Sequence, residues 1–454
     1  MTPPKPASRP RRVSFWRYLQ LFRRDILSAQ PAHLYNAKMA EYRTPFFRSV
    51  LINEPALIRT VLRDRPEDFP KSMRIAEGLR PLLGQSIFVT NGDIWARQRR
   101  IIDPAFEGGR IKDSFPAMLA AARQIAGSLP EGEQDIEPAM SKVTADVIFR
   151  AMFSLPIDDD VARRIFAAFQ QHQRAQPLLN LGAFLALPEW FPRGHGRAAR
   201  RSAATIRHLL AEVTSRRRSE IDSGTAPDDL ATKIMTTSDP ETGDGFSDAE
   251  VADQLAIFFL AGHETSASAL AWTLYLLACE PDLQTELRKE VQEFVASPDF
   301  SGLSALELTR DVIREALRLY PPVPMMVREA KNAETMRDRT LPKGCQVVIS
   351  PWHLHRNPRH WSDPDAFCPQ RWAKGGAKPA QRDAYLPFSA GPRVCPGAGF
   401  AMAEAAVILS HLVARFEFAP VDGATPVPVA HLTVRGREGI RISVSRHDDE
   451  SRSA

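Results

Sequence analysis

Residues 387–400 read PFSAGPRVCPGAGF. The stretch sets one cysteine, Cys395, among Gly391, Gly397 and Gly399, with Arg393 two residues before it. A buried structural cysteine does not need three neighbouring glycines. Glycines let the backbone take left-handed turns and let a flat ligand approach closely. A helix is expected to begin near Gly399. The unpaired N–H groups and positive dipole end of its first turn would then point back at the sulfur. Both effects favour thiolate over thiol, and a thiolate framed in this way is a good soft ligand for iron.

The rest of the chain is ordinary for a globular protein. Its 454 residues are 44% hydrophobic and 25% charged, enough for a large core. Lys and Arg number 59 against 54 Asp and Glu, and the net charge of +5 is too mild to imply a nucleic-acid partner. None of the four cysteines, Cys279, Cys345, Cys368 and Cys395, is in Cys-x-x-Cys spacing. That argues against a zinc site and a disulfide framework and points to a reducing, cytoplasmic compartment. The start of the chain shows no signal-peptide pattern. The longest run free of Asp, Glu, Lys and Arg, Thr265 to Cys279, is 15 residues. A run of that length is too short to span a bilayer, so no transmembrane anchor is expected. In SFWRYLQLFRRDIL, Phe15, Leu19, Phe22 and Ile26 share one helical face with Arg17, Arg23 and Arg24 nearby. A helix packed on its own domain is the expectation, with weak peripheral membrane contact as the alternative.

Residues 1–12 and 446–454 read as disordered tails around a single domain, 13–445. From about 47 to 63 the pattern is strand, turn, then helix. From Ile94 to Phe191 it is mostly helical, with breaks near Gly108, Pro130 and Pro188. Ile221 to Gly245 is polar and reads as an exposed connection. Ser247-Asp248-Ala249-Glu250 is a capping box, with Phe246 and Val251 as its hydrophobic staple. The helix it opens is expected to run to Cys279 and cross the whole domain. Ser304-Ala305-Leu306-Glu307 predicts a second capped helix, ending at Tyr320-Pro321-Pro322. QVVIS at 346–350 reads as a strand, and a last helix is expected from Gly399 to Phe418. The fold class is mainly α with minor β.

Three further patterns stand out. Glu315 and Arg318 lie three apart on one helical face. Taken alone they are a surface pair worth well under about 1 kcal/mol, but Phe367-x-Pro369-x-Arg371-Trp372 follows some fifty residues later. Ala261-Gly262-His263-Glu264-Thr265-Ser266 sits in the middle of the long helix. Glycine weakens a helix there, and a threonine hydroxyl competes for backbone hydrogen bonds, which together predict a loosened turn and a groove. Trp95 and Arg99 fall four apart on one helical face.

Together these stretches resemble the cytochrome P-450 family, from the N-terminal helix–strand region to Phe418. The resemblance implies a triangular, mostly helical domain with small sheets and a buried haem b. It makes Cys395 the axial iron ligand, with Trp95, Arg99, Arg328 and Arg393 on the haem propionates. It makes Glu264 and Thr265 the acid–alcohol pair that binds oxygen and relays protons to it. Glu315, Arg318 and Arg371 become a triad that locks the core behind the haem, while Arg97 and Arg100 are expected to be solvated or partner-facing. The implied reaction is monooxygenation of an apolar small molecule (a terpenoid, steroid, fatty acid or aromatic compound), with O2 as co-substrate. No flavin or nicotinamide fingerprint is visible. NAD(P)H is therefore expected to act indirectly, through a ferredoxin or flavodoxin and its reductase, on a soluble, bacterial-type monomer. Residues 73–89, Pro177–Trp190, Ile257–Gly262 and Val323–Val327, with Met325 and Met326, are the expected substrate contacts. A peroxide-using or rearranging haem-thiolate enzyme is the alternative, which the intact Glu264-Thr265 pair argues against. A non-enzymatic haem sensor would need an output domain, and no region is large enough for one.

Overall fold

The Ser247 hydroxyl accepts from the Glu250 N–H, and the Glu250 carboxylate accepts from the Ser247 N–H, so the expected capping box closes. Phe246 and Val251 are both buried beside it. From this cap one helix runs unbroken over Asp248–Ala278 and stops at Cys279, just before Pro281. At 1.5 Å per residue it is about 46 Å long. Most of it is buried, and Trp272 stacks on Tyr320 with ring centroids 3.9 Å apart. In this computed structural model the described residues are all of 1–454 except 44–47, 108–109, 176–195, 374–375, 377–378 and 448–454.

The other layers wrap this helix. Helix Glu137–Phe153 packs along it, and a Cβ on Gly262 would come within 2.5 Å of the Ile148 Cδ1. Gly262 is therefore a close packing contact. The loosened turn expected from Gly262 and Thr265 does not occur; the helix stays regular, and the Thr265 hydroxyl donates to the Ala261 carbonyl at 2.6 Å. A four-stranded sheet orders Met39–Arg43, Arg48–Ile52, Gln346–Ile349 and Met326–Glu329, with only the middle pair parallel. A three-stranded sheet joins Gly132–Asp135, Arg441–Arg446 and Phe416–Pro420. A short hairpin pairs Pro428–Ala430 with Val434–Gly436. The architecture is thus mainly helical with small sheets, as the sequence predicts.

Several local expectations are corrected. The pattern Ser304–Glu307 does not form a capping box. Helix Glu307–Leu319 begins at Leu306 without a side-chain cap of its own, and the Glu290 carboxylate of a neighbouring helix accepts from Leu308 and Thr309 N–H at 2.6 and 2.8 Å. A cap supplied from elsewhere in the chain leaves no local signature. The connection 221–245 holds a short helix, Leu230–Thr236, with four buried side chains, and its Asp239 is fully buried. Asp239 takes both arms of Arg100, at 2.6 and 2.7 Å, and Arg97 pairs with Glu250 at 2.8 Å. These two arginines are half-buried in ion pairs within the chain and are not free in solvent. The break near Pro130 also contains an unforeseen strand, Gly132–Asp135, and the last helix ends at Arg415, where strand Phe416–Pro420 takes over. Residues 1–12, expected as a tail, make defined contacts: the Pro4 carbonyl accepts from the Tyr320 hydroxyl, and the Ala29 carbonyl from Arg9 Nε. At the other end, Arg446 closes a strand and 448–454 lie outside the described residues.

Glu315, Arg318 and Arg371 form the densest polar contact in the core. Arg318 grips the fully buried Glu315 carboxylate with two bonds of 2.9 and 2.8 Å. It also donates to the carbonyls of His355, Pro364 and Ala366. Glu315 accepts further from Arg371 Nε, Trp372 Nε1 and the Cys368 N–H. His355 continues the network: Nδ1 meets the Arg318 carbonyl at 3.1 Å, and Nε2 accepts from the Leu386 N–H at 2.8 Å. This arrangement requires the neutral ring protonated on Nδ1, and burial lowers its pKa to about 3. Leu386 lies nine residues before Cys395, so the triad is tied by a direct chain of bonds to the cysteine segment.

Among the described residues one helix, Ala398–Arg415, is long and apolar enough to cross a bilayer, but 61% of it is buried inside the fold. Its Glu404 is fully buried, bonded to the Ser266 hydroxyl at 2.7 Å through one oxygen and unpartnered at the other.

Two predictions concern stability. Lysine has three donors and no planar fork, so Arg318→Lys should destabilise the fold by about 2–4 kcal/mol, read from urea unfolding midpoints. A loss under about 1 kcal/mol would show that the fork is dispensable. Burial pushes Glu404 up to about 8 from an ordinary carboxyl value of 4.5. The folded state then holds a proton that the unfolded state releases between those values, so stability falls as pH rises from about 4.5 to 8. Glu404→Gln should remove that part of the decline and be the more stable protein above pH 8, measured by thermal unfolding across pH.

Candidate functional site

Cys395 stands at the mouth of the helix Ala398–Arg415. Its N–H donates to the Phe388 carbonyl at 3.0 Å, which closes the loop between them. Gly391 has φ +72°, and a Cβ there would lie 1.8 Å from the Leu62 carbonyl oxygen. Only glycine lets this loop seat on the turn Thr60–Asp64. Gly397, by contrast, borders open space, with no atom within 4 Å of a Cβ placed on it. Cys395 is solvent-accessible, yet the protein around its sulfur is dense enough that burial raises the thiol pKa, against the Gly397 N–H and the Arg99 charge, which lower it. A group both accessible and desolvated lines a recess rather than the outer surface. Desolvation outweighs the Gly397 N–H, so the helix terminus alone does not set a preference for thiolate.

The cations converge around Trp95, on helix Gly92–Ile102. The Arg393 guanidinium lies 4.8 Å from the centre of the Trp95 ring and Lys71 Nζ 5.5 Å from it. Lys71 and Arg328 pair through an isolated β-bridge, which brings the strand Met326–Glu329 alongside. The Arg393 side chain donates to the Pro66 carbonyl and to Glu67 at the rim, while its Nε has no partner. Arg328 is buried and its side chain donates only to the Val327 carbonyl, at 3.3 Å. Lys71 Nζ donates to the carbonyls of Ile87 and Thr90. Among the described residues neither Lys71 nor Arg328 has a carboxylate partner. Desolvation first, then the charges of Arg328, Arg393 and Arg99, pulls Lys71 down to about 6, and desolvation with Arg393 brings Arg328 down to about 10. Buried cations crowded without counter-charge are costly, and such a cluster suits a dianionic ligand. Arg99 is turned elsewhere: it pairs with Asp103 at 2.6 Å and donates to the Val394 carbonyl at 2.9 Å, tying its helix to the cysteine loop.

The central helix contributes a bare strip. Ala261 is exposed, and Phe258, Gly262 and Thr265 are half-buried, in the middle of a helix that is otherwise buried. The positions i, i+3, i+4 and i+7 make one face. Ala261 and Gly262 open it because they carry almost no side chain. Glu264 points away from this strip. Its carboxylate accepts from Gln173 Nε2, Thr433 Oγ1 and Arg435 at 2.9, 2.9 and 3.0 Å. Neighbouring segments meet along the same helix. Gln85 and Ile87 donate backbone N–H to Asp253 and Gln254, and Val434 N–H donates to the Pro322 carbonyl. Of the expected substrate contacts, Phe88 and Val323 are exposed apolar residues on these segments, and Met325 and Met326 are half-buried. Pro177–Trp190 lies outside the described residues.

The structure thus brings Trp95, Arg328 and Arg393 together, with Arg99 at the edge and Glu264 and Thr265 on different faces of one helix. Sequence reasoning missed Lys71, Thr433, Arg435 and Glu404. Glu404 left one signal, as the lone acid of an apolar helix; the others are ordinary residues whose meaning comes from tertiary contact. A cleft of about 320 Å³ lined by Asp113, Ala117, Arg150, Asp229, Leu230 and Lys233 shares no residue with this site. The accessible cysteine, the bare strip and the uncompensated cations fit a flat, iron-bearing macrocycle with two carboxylates.

Comparison with known proteins agrees. A family model described as Cytochrome P450 matches residues 9–444. A Cyclooctat-9-en-7-ol 5-monooxygenase of Streptomyces melanosporofaciens is 35% identical over 90% of this chain and 88% of its own. A Taurochenodeoxycholic 6 alpha-hydroxylase of Sus scrofa is 30% identical over 87% and 82%. The protein LUTEIN DEFICIENT 5 of Arabidopsis thaliana is 28% identical over 87% and 70%. These relatives come from a bacterium, a mammal and a plant, so the likeness does not single out a bacterial type. With its cysteine loop, its triad and this match over nearly its whole length, the chain belongs to the cytochrome P450 family and is a haem-dependent monooxygenase that uses O2.

Proposed function

We propose that this monooxygenase oxidises a bulky apolar small molecule of the terpenoid or steroid kind, by hydroxylation or epoxidation. The bare strip Phe258–Ala261–Gly262–Thr265 carries the reading, because it leaves an apolar wall where other turns of the helix are covered. The names of two relatives, a cyclooctatenol monooxygenase and a bile-acid hydroxylase, support the substrate class. Phe88, Val323 and Leu432, exposed on segments beside the central helix, supply further apolar surface.

In this reading Cys395 ligates the iron, and Lys71, Arg328 and Arg393, with Trp95 between them, hold the two propionates. Arg99 acts through the Val394 carbonyl to fix the loop. Bound haem supplies the oxidising chemistry, by which one atom of O2 enters the substrate and the other leaves as water at the cost of two electrons and two protons. The chain's part is to exclude water, seat the substrate against the strip and deliver protons. The Thr265 hydroxyl, on the strip, is placed to hold a proton at Oγ1; Glu264, one residue away, is the acid that replenishes it. Electrons come from a separate ferredoxin- or flavodoxin-type protein, itself reduced through NAD(P)H. Exposed Arg63 and Lys112 lie beside Leu62 and Ile111, which touch the cysteine segment, and suit an acidic partner.

The test is spectroscopic. The reduced carbonyl complex should show the strongly red-shifted Soret band of thiolate ligation, and Cys395→Ser should lose it; a retained band would overturn the ligand assignment. Polycyclic terpenoid or steroid alcohols should convert the iron from low to high spin on titration. If only linear fatty acids did so, the substrate class would be wrong. Lys71→Met and Arg328→Met should each weaken haem retention about tenfold or more, the effect of one charge-assisted hydrogen bond. Transfer of haem to apomyoglobin measures it.

A further inference from the structure

The positive balance of the chain sits at one end. Residues 1–24 hold seven of the 59 Lys and Arg and none of the 54 Asp and Glu, more than the whole net charge of +5. Lys5 is spent on Asp365, and Arg9 on the backbone carbonyls of Ala29, Pro10 and Arg11. The other five, Arg11, Arg12, Arg17, Arg23 and Arg24, are exposed, and none has a carboxylate partner among the described residues. Helix Phe15–Arg24 is capped by Ser14, whose hydroxyl accepts from the Arg17 N–H at 3.2 Å. Its Tyr18, Leu19, Leu21 and Phe22 are half-buried, while Trp16, Arg17, Gln20, Arg23 and Arg24 are exposed. At 100° per residue these five exposed positions fall within an arc of about 120°. Trp16, at 78%, is the most exposed large apolar side chain among the described residues. The end of the helix is fixed to the C-terminal hairpin: the Ile26 N–H donates to the Ala430 carbonyl at 3.1 Å, and the buried Asp25 carboxylate accepts from the Ala430 N–H at 2.7 Å. Leu432, 40% exposed, follows close after Ala430.

We propose that this arc, with Arg11 and Arg12, docks the enzyme on an anionic lipid surface. Charge complementarity names the occupant. Each arginine near such a surface is drawn separately by the surface potential, so several add up without partners in fixed positions. Tryptophan settles at the headgroup level, its ring in the apolar boundary and its polar edge in water. An acidic protein fits the arc less well. A specific protein interface needs about 800 Å² on each side, with apolar side chains packed around its anchors. The arc is the outer side of a single ten-residue helix, and it offers one indole among charged and polar side chains. At about 15 Å long the helix lies in the plane of the headgroups rather than spanning the bilayer. Its bonds to Ala430 make the hairpin corner move with it, so docking also sets how Leu432 is presented to the lipid. The proposal does not depend on the substrate class.

The test is sedimentation of the haem-loaded protein with vesicles. It should pellet with vesicles of equal parts phosphatidylcholine and phosphatidylglycerol and stay in solution with phosphatidylcholine alone. Raising NaCl from about 0.1 M to about 1 M, which shortens the screening length from ~10 Å to ~3 Å, should release it. Arg23→Gln combined with Arg24→Gln should lower the partition coefficient about twentyfold, the effect of two charges at an anionic surface. Trp16→Ala should weaken binding several-fold and remove a blue shift of tryptophan emission seen in the parent on adding anionic vesicles. The reduced carbonyl spectrum of each variant should match the parent, which shows that the fold and the haem site are intact. Equal pelleting with neutral vesicles, or variants with a parental spectrum that bind as the parent does, would overturn the proposal. If no vesicle binds and the double arginine variant instead loses ferredoxin-dependent turnover, the arc docks an acidic protein and the lipid assignment is wrong.

Discussion

One carboxylate holds the interior together. Glu315 accepts five hydrogen bonds in a site with no access to water: two from Arg318 and one each from Arg371, Trp372 and the Cys368 backbone. A buried ion pair is not stabilising by default, since desolvation can exceed the Coulomb gain. What it gives here is specificity of position. Arg318 spends its other donors on the carbonyls of His355, Pro364 and Ala366, and His355 passes the constraint to Leu386. Three stretches far apart in sequence are thereby fixed relative to one another, and the third leads directly into the cysteine loop. The position of the cysteine loop is thus set from behind it.

The cation cluster shows the opposite economy. Lys71 and Arg393 lie against Trp95, with Arg328 beside them, and the three have less counter-charge than burial calls for. Crowding buried cations in this way costs free energy, and a dianionic ligand would relieve it. Stability and loading are then one property, because a ligand that binds only the folded state stabilises it by mass action. The raised thiol pKa of Cys395 belongs to the same logic: desolvation disfavours the free anion, and coordination is what would hold the sulfur deprotonated.

The central helix was legible because every signal for it is local: a capping box, a staple, an apolar run and a proline stop. The glycine-framed cysteine and the Glu315–Arg318 spacing were legible for the same reason. What could not be read lies in contacts made across the chain. The cap of helix Glu307–Leu319 comes from Glu290, Arg100 finds Asp239, and Lys71 becomes part of a cation cluster only when Arg328 and Arg393 arrive beside it. Gly262 illustrates a subtler failure. Its propensity argued for a weak turn, but tertiary packing against Ile148 uses the missing side chain and keeps the helix straight.

That same packing explains how one helix serves two tasks. A residue step of 100° puts Thr265 on the bare strip and Glu264 under the hairpin, so the acid and the alcohol are covalent neighbours that face different surroundings. A regular helix keeps the acid on its buried side and the alcohol on its open side. What holds the acid on that buried side is Gln173 together with a hairpin from the last thirty residues.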